Sequence, residues 1–306
     1  MSQAPLIFDR RLRRLRLDRA RQAAPPDFLR RRVADDLAER LAAVPRPFHR
    51  ALVIGPPWAG ADFAAALAGT PAEARIGEIT AMSLARPDPP ARPRSVATPG
   101  ARLIADEERL PFAPASFDLI VSSLALHWVN DVIGALIQLR LALKPDGLFL
   151  GAFLGGATLT ELRQSLIEGE VAAHGGAGPR VSPFIDAPDA AGLLQRAGFA
   201  LPVADTDTLT VRYGDPWRLL MDLRALGETS VLSDRPPAGL TRATLAEAFR
   251  AYANTHADPD RRLRARFEVL TLTGWSPHPD QPKPARRGSG RVSLAEALKR
   301  PADTSP

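Results

Sequence analysis

Cysteine is absent from the 306 residues. That absence removes disulfide frameworks, thiolate zinc sites, iron–sulfur ligation and a cysteine nucleophile. No apolar run approaches the roughly 20 residues that span a bilayer. The start of the chain passes through polar residues to Phe8-Asp9-Arg10 without the apolar core of a secretory signal. Aromatic residues make up only 6%, and none interrupts the basic stretch from Arg10 to Arg21, so a stacking platform for single-stranded nucleic acid is lacking. Lysine stands only at 144, 283 and 299, so the net charge of +6 is carried by arginine in a chain rich in alanine and proline. That bias reads as composition rather than as a phosphate-binding face. The expected partners therefore include no nucleic acid and no stable membrane insertion.

What remains is enough for a full core. With 45% hydrophobic and 24% charged residues, a chain of this length suits one large domain with appendages. Leu12, Leu15 and Leu17 punctuate the first basic stretch, and Leu29, Val33, Leu37 and Leu41 recur every fourth residue; two N-terminal helices follow from that spacing. Pro45 and Pro47 close the second. From Ala51 short apolar runs alternate with helical stretches: Ala51 to Ile54, Ala74 to Ile79, Ala101 to Ala105, Phe117 to Ser123 and Leu148 to Phe153. Runs that are apolar throughout suit strands covered on both faces, which predicts an α/β fold with a mostly parallel, doubly wound sheet. Leu201 to Tyr213 and Phe267 to Trp275 alternate instead and are expected as antiparallel strands at the far edge. Helices are expected from Val132 to Leu143, Thr158 to Ala173 and Asp189 to Ala197, the last stopped by Gly198. The turn Lys144-Pro145-Asp146-Gly147 takes its positive φ from the glycine.

In such a fold ligands lie beyond the carboxyl ends of the strands. The first loop, Gly55-Pro56-Pro57-Trp58-Ala59-Gly60, keeps two glycines for close backbone approach but sets two prolines, which donate no N–H, and a bulky tryptophan between them. It reads equally as a rigid turn. Glu78, expected at the end of the second strand, suits the hydroxyls of a ribose. Asp106 and Glu107 at the third strand end could accept from an adenine amino group, with Leu110 or Phe112 over the ring, or form a solvated acidic turn. His127, after the fourth strand, is a candidate general base, or a packed histidine. His256-Ala257-Asp258 has the spacing of part of an iron site but falls in a loop away from the strand ends.

Several motifs together resemble a known family. Ala105-Asp106-Glu107-Glu108 with Leu110-Pro111-Phe112, the strand Phe117 to Ser123, Leu126-His127-Trp128-Val129-Asn130-Asp131 and Leu143-Lys144-Pro145-Asp146-Gly147 look like a class I S-adenosylmethionine-dependent methyltransferase, with its Rossmann-like sheet. Ile7-Phe8-Asp9-Arg10, Gly155-Gly156, Ser182-Pro183-Phe184, Gly227-Glu228-Thr229 and Gly274-Trp275 narrow the resemblance to the arginine hydroxylase assembly-factor family of respiratory complex I and its bacterial relatives. The resemblance implies that Gly55, Glu78, Asp106 and Glu107 hold S-adenosylmethionine. It also implies that Phe8, Asp9 and Arg10 close over the site with Trp128 beside the substrate, and that the protein substrate is a complex I subunit. It divides the chain into a helical segment 1–47 covering the site, a methyltransferase-like domain 48–275 and a flexible tail 276–306, with no metal implied. Because the first motif comes so early, a bacterial cytoplasmic protein is expected. The departure from the family lies in the first loop, where Val53 replaces an acid and Pro57 a glycine. Two other outcomes stay open: an assembly chaperone without catalysis, and O-methylation of a carrier-bound malonyl group.

Overall fold

In a computed structural model, which describes residues 6–23, 25–88, 99–237 and 239–278 together with Asp280, the chain opens with helices α1 (Arg10–Gln22) and α2 (Phe28–Ala42). The Asp9 side chain caps α1 by accepting from the Leu12 N–H at 2.9 Å. In α2 the expected stripe of Leu29, Val33, Leu37 and Leu41 is sealed from solvent, each such burial contributing about 1.5–3 kcal/mol. The inward face of α1 differs from expectation. Leu15 is exposed, and Arg13 takes the buried position with Leu17 and Ala20, at the i, i+4, i+7 spacing of one helix face.

The apolar runs become β1 (Phe48–Ile54), β2 (Ile76–Ser83), β3 (Pro99–Ile104), β4 (Phe117–Ser123) and β5 (Leu143–Leu154). These five are parallel. β6 (Ala200–Tyr213) and β7 (Leu263–Trp275) add antiparallel pairs, giving the order β3-β2-β1-β4-β5-β7-β6. The expected doubly wound sheet is thus observed. Of the two late strands, β6 is the edge and β7 lies one place inside it. Six further helices are α3 (Ala59–Leu67), α4 (Val132–Ala142), α5 (Thr160–His174), α6 (Ala187–Arg196), α7 (Pro216–Ala225) and α8 (Arg242–His256). α2, α3, α5 and α8 share one apolar cluster with one face of the sheet, and α4 and α6 share the other.

Two local expectations are corrected. β2 runs five residues past Glu78, because the polar Glu78 lies on its solvent-exposed opening while the buried Ala81-Met82-Ser83 end continues between β1 and β3. In the Lys144–Gly147 turn it is Asp146 that takes φ 59°, an Asp being among the residues that tolerate the left-handed region. Its N–H donates to the Ser276 carbonyl, and the Ser276 N–H returns to Gly147. Most of the tail expected from 276 lies outside the described residues.

The sheet order reverses between β1 and β4, and the crevice beyond their carboxyl ends is where a doubly wound fold holds its ligand.

Candidate active site

Beyond β4 the backbone turns sharply. Leu124 adopts φ 51°, a region a leucine rarely enters, and its N–H donates to Ala152 of β5 at 2.7 Å. This turn delivers the short helical segment Leu126–Trp128, whose side chains are all buried. Trp128 is the hub. Its indole N–H donates to Glu228 at 2.9 Å, the Arg13 guanidinium lies 4.6 Å above its ring, and Phe8 meets it edge-on at 5.4 Å.

Glu228 receives three donors from two parts of the chain. Oε2 accepts from Trp128 and faces His127 Nε2 at 2.9 Å, while Oε1 accepts from Arg13 Nη2 at 3.0 Å. Arg13 Nη1 donates to the Gly227 carbonyl at 2.5 Å. Burial alone would raise the Glu228 pKa, but the charge of Arg13 and the His127 contact outweigh it and hold the carboxyl down at about 2. Arg13, equally buried, is pulled below the usual guanidinium value by desolvation against the pull of Glu228. His127 points Nδ1 at the Leu154 N–H at 3.5 Å, so both ring nitrogens are engaged within the cluster. In this arrangement it positions Glu228 and does not present a free base to a substrate.

The second cluster stands at the end of β3. Arg10 Nη2 pairs with Asp106 Oδ1 at 2.6 Å and with Glu107, and Arg10 Nη1 donates to the Trp128 carbonyl at 3.0 Å. Burial pushes the Glu107 carboxyl up, against the lowering by Arg10. Glu108 accepts from the Asn130 backbone N–H at 2.6 Å, and Asn130 Oδ1 accepts from the Phe8 N–H at 2.8 Å. Residues 7–9 are pinned from the other side as well. The Asp9 N–H donates to Val231, and the Ser233 N–H donates to Ile7, each at 2.8 Å.

The structure therefore brings Phe8, Asp9, Arg10, Asp106, Glu107, His127 and Trp128 into one region, and it leaves Glu78 out. Glu78 pairs in register with Arg50, near the start of β1, and its carboxylate packs beside Gly100 at the amino end of β3. No acid stands at the true end of β2, where Ser83-Leu84-Ala85 follow. Gly55 remains in the crossing from β1 to α3, where a side chain would run into the Ser123 carbonyl. Phe112 packs edge-on against Phe117 at 4.9 Å. His256 and Asp258 do not form a metal pair, since Asp258 spends its oxygens on Arg212 at 2.8 Å and Arg264 at 3.2 Å.

Arg13 was missed in the sequence because an arginine on a basic helix reads as solvated; its only signal is the four-residue spacing to Leu17. Glu228 appeared only within a family motif, with no pattern of its own to mark it as buried.

The cofactor of this fold is S-adenosylmethionine, and its fit here is uneven. Asp106 and Glu107 are acceptors of the right kind for the nucleoside, although Arg10 engages them. The first loop offers less to the methionine portion. Pro56 and Pro57 have no N–H to donate, the Pro57 carbonyl accepts from Asp88 at 2.7 Å, and Trp58 is 4% exposed, turned into the protein.

Comparison with known proteins agrees with this architecture. Residues 72–151 match the family described as "Methyltransferase domain", a span that begins after the first loop. The mitochondrial arginine-hydroxylase NDUFAF5 of Mus musculus is 39% identical over 96% of this chain and 84% of its own length. A malonyl-[acyl-carrier protein] O-methyltransferase of Halorhodospira halophila is 35% identical over 81% of each chain. The YcgJ protein of Bacillus subtilis shares the fold, with a TM-score of 0.50 at 15% identity over 79% of this chain and 98% of that one.

Proposed function

Since the chain belongs to the family of the arginine-hydroxylase NDUFAF5, we propose that it is an enzyme that modifies an arginine side chain of a protein partner, a subunit of respiratory complex I. One observation carries the reading. The Arg13 guanidinium is seated on the Trp128 ring, the Glu228 carboxylate and the Gly227 carbonyl, a set of groups that recognises arginine by stacking and charge-assisted hydrogen bonds. The protein's own α1 supplies that arginine here, and a substrate arginine would take the same seat once α1 withdraws.

When bound, S-adenosylmethionine supplies an electrophilic methyl group. The rest falls to residues of this chain. Trp128 gives a flat face that orients the guanidinium, and Glu228, held ionised at neutral pH by its neighbours, fixes the direction of its N–H groups. His127 keeps Glu228 in place, and Phe8 with Leu232 closes the cluster from water. Catalysis in such a site is mainly alignment in a dry pocket.

A second reading, a chaperone that holds the partner without chemistry, is favoured by Trp58 in the first loop and by the family match that begins only at residue 72. One experiment separates the outcomes. The purified protein is incubated in air with S-adenosylmethionine, a two-electron reductant and an arginine-bearing complex I subunit, so that dioxygen can give one oxygen to the substrate and one to water, and the subunit's mass is then measured. A gain of one oxygen on arginine supports hydroxylation, and a gain of one methylene supports methylation. A stable complex with unchanged mass sinks the enzymatic reading in favour of the chaperone.

A further inference from the structure

Trp128 also lines a cavity of about 480 Å³, within the range of about 300–1,000 Å³ usual for small-molecule sites. Leu154, Leu159 and Leu166 form its inner wall, and Trp217 and Met221 of α7 stand at its edge, 50% and 48% exposed. Large apolar side chains left half in water beside an apolar cavity mark surface that a ligand can cover.

The charged part of the lining is mostly basic, and its fourth arginine, Arg180, is paired with Glu170. Arg16, Arg224 and Arg235 all face the cavity. Arg235 Nη1 donates to the Leu232 carbonyl at 2.8 Å, and its only ion pair among the described residues is a long one, 3.9 Å to Asp9. Arg16 is held below the usual guanidinium value by burial and by the neighbouring charges of Arg235, Arg19 and Arg224. Glu228 also reaches the wall, but Arg13 already matches its charge.

A separate observation points the same way. Arg16 Nε, Ser182 Oγ and Ser230 Oγ are buried without a hydrogen-bond partner, and all three residues line this cavity. A buried donor without a partner is destabilising, and native proteins keep few of them. Three around one cavity, beside a surplus of positive charge, suit a ligand that brings acceptor oxygens and negative charge.

We propose that this cavity binds an anionic amphiphile, its carboxylate head drawn by Arg16, Arg224 and Arg235 with the Ser182 and Ser230 hydroxyls as donors, and its apolar tail lying along Leu154, Leu166 and Met221. The cavity borders the arginine seat at Trp128 and Glu228, but it uses none of Gly55, Asp106 or Glu107 and is testable without S-adenosylmethionine.

The test is calorimetric titration of the full chain with three ligands of equal tail length, each below its micelle concentration: decanoate, decanol and decyltrimethylammonium. Decanoate is expected to bind at least about tenfold more tightly than decanol, and the cation not at all. Arg16→Gln is expected to weaken decanoate about tenfold with an unchanged melting temperature; Arg224→Gln, at an exposed position, gives the same reading should the first variant fold poorly. Equal affinity for decanoate and decanol would overturn anion recognition. Absence of binding by all three, or full decanoate affinity in both variants, would overturn the site.

Discussion

Arg13 and Glu228 lie 215 positions apart in the chain and meet at 3.0 Å, with side chains 3% and 4% exposed. The contact ties the N-terminal helix to the loop after α7 and fixes both against Trp128. Removing one member of such a pair leaves a buried charge uncompensated, at a cost of about 3–5 kcal/mol. Glu228→Gln is therefore expected to lower stability by about 3 kcal/mol in urea unfolding. Replacing both, Arg13→Met with Glu228→Gln, is expected to restore at least half of the loss. A single variant that unfolds at the wild-type midpoint would mean that the pair does not hold α1.

The same carboxyl sets the acid limb of stability. Unfolded, Glu228 titrates near 4.5; folded, its neighbours hold it at about 2. Between those values the unfolded chain binds the extra proton, so stability falls as pH drops through the window. Asp62 works in the opposite sense. Burial, only partly offset by Arg30, raises it from 3.8 to about 6, so the folded chain holds the proton and stability falls as pH rises from about 4 to 6. Denaturation midpoints measured between about pH 3 and pH 7 should show the acid limb flattened in Glu228→Gln and the second decline removed in Asp62→Asn. Unchanged limbs in the two variants would assign the pH dependence to other groups.

Arg10 already pairs with Asp106 and Glu107, so a cofactor held by these two acids would have to compete with it. Freed by Arg10→Ala, the two carboxylates are expected to take S-adenosylmethionine about tenfold more tightly than in the parent, the strength of a charge-assisted contact. Adding Glu107→Gln to that variant should reverse the gain. Weaker binding in Arg10→Ala would show instead that Arg10 organises the acids for the cofactor.

Much of the fold was legible because its signals are collective. The apolar runs of β1, β4 and β5 and the stripe Leu29, Val33, Leu37, Leu41 repeat one physical pattern over many residues, and Gly198 stops α6 with φ 81° as a C-terminal glycine should. α7 and α8 were not foreseen. α7 keeps Trp217 and Met221 half in solvent, and α8 buries only Thr244, Ala248 and Tyr252, so neither presents a clean apolar face. The acidic cluster was legible where a strand end announces it, at Asp106 and Glu107. The site was misread at Glu78, where an acid early in β2 was taken for its end, and missed at Arg13 and Glu228, whose burial depends on partners 100 or more residues away.

Trp58 separates a silent cofactor loop from a closed one. It sits at the start of α3 with φ −88°, a conformation open to any residue, so truncating it leaves the backbone unstrained. Loss of its packing costs about 3 kcal/mol, and the space it vacates lies in the first loop, where the amino end of α3 could face an anionic group. If the indole alone blocks the methionine portion, Trp58→Ala should bind S-adenosylmethionine at least about tenfold more tightly than the parent. Glu78→Ala, near the amino ends of the strands, should leave that affinity unchanged. Should Trp58→Ala gain nothing even when combined with Arg10→Ala, the two prolines and the missing acid at Val53 have removed the binding surface itself, and the chain works through its partner contacts. Loss of binding in Glu78→Ala would place the nucleoside at the opposite end of β2 and overturn the site geometry described for Asp106 and Glu107.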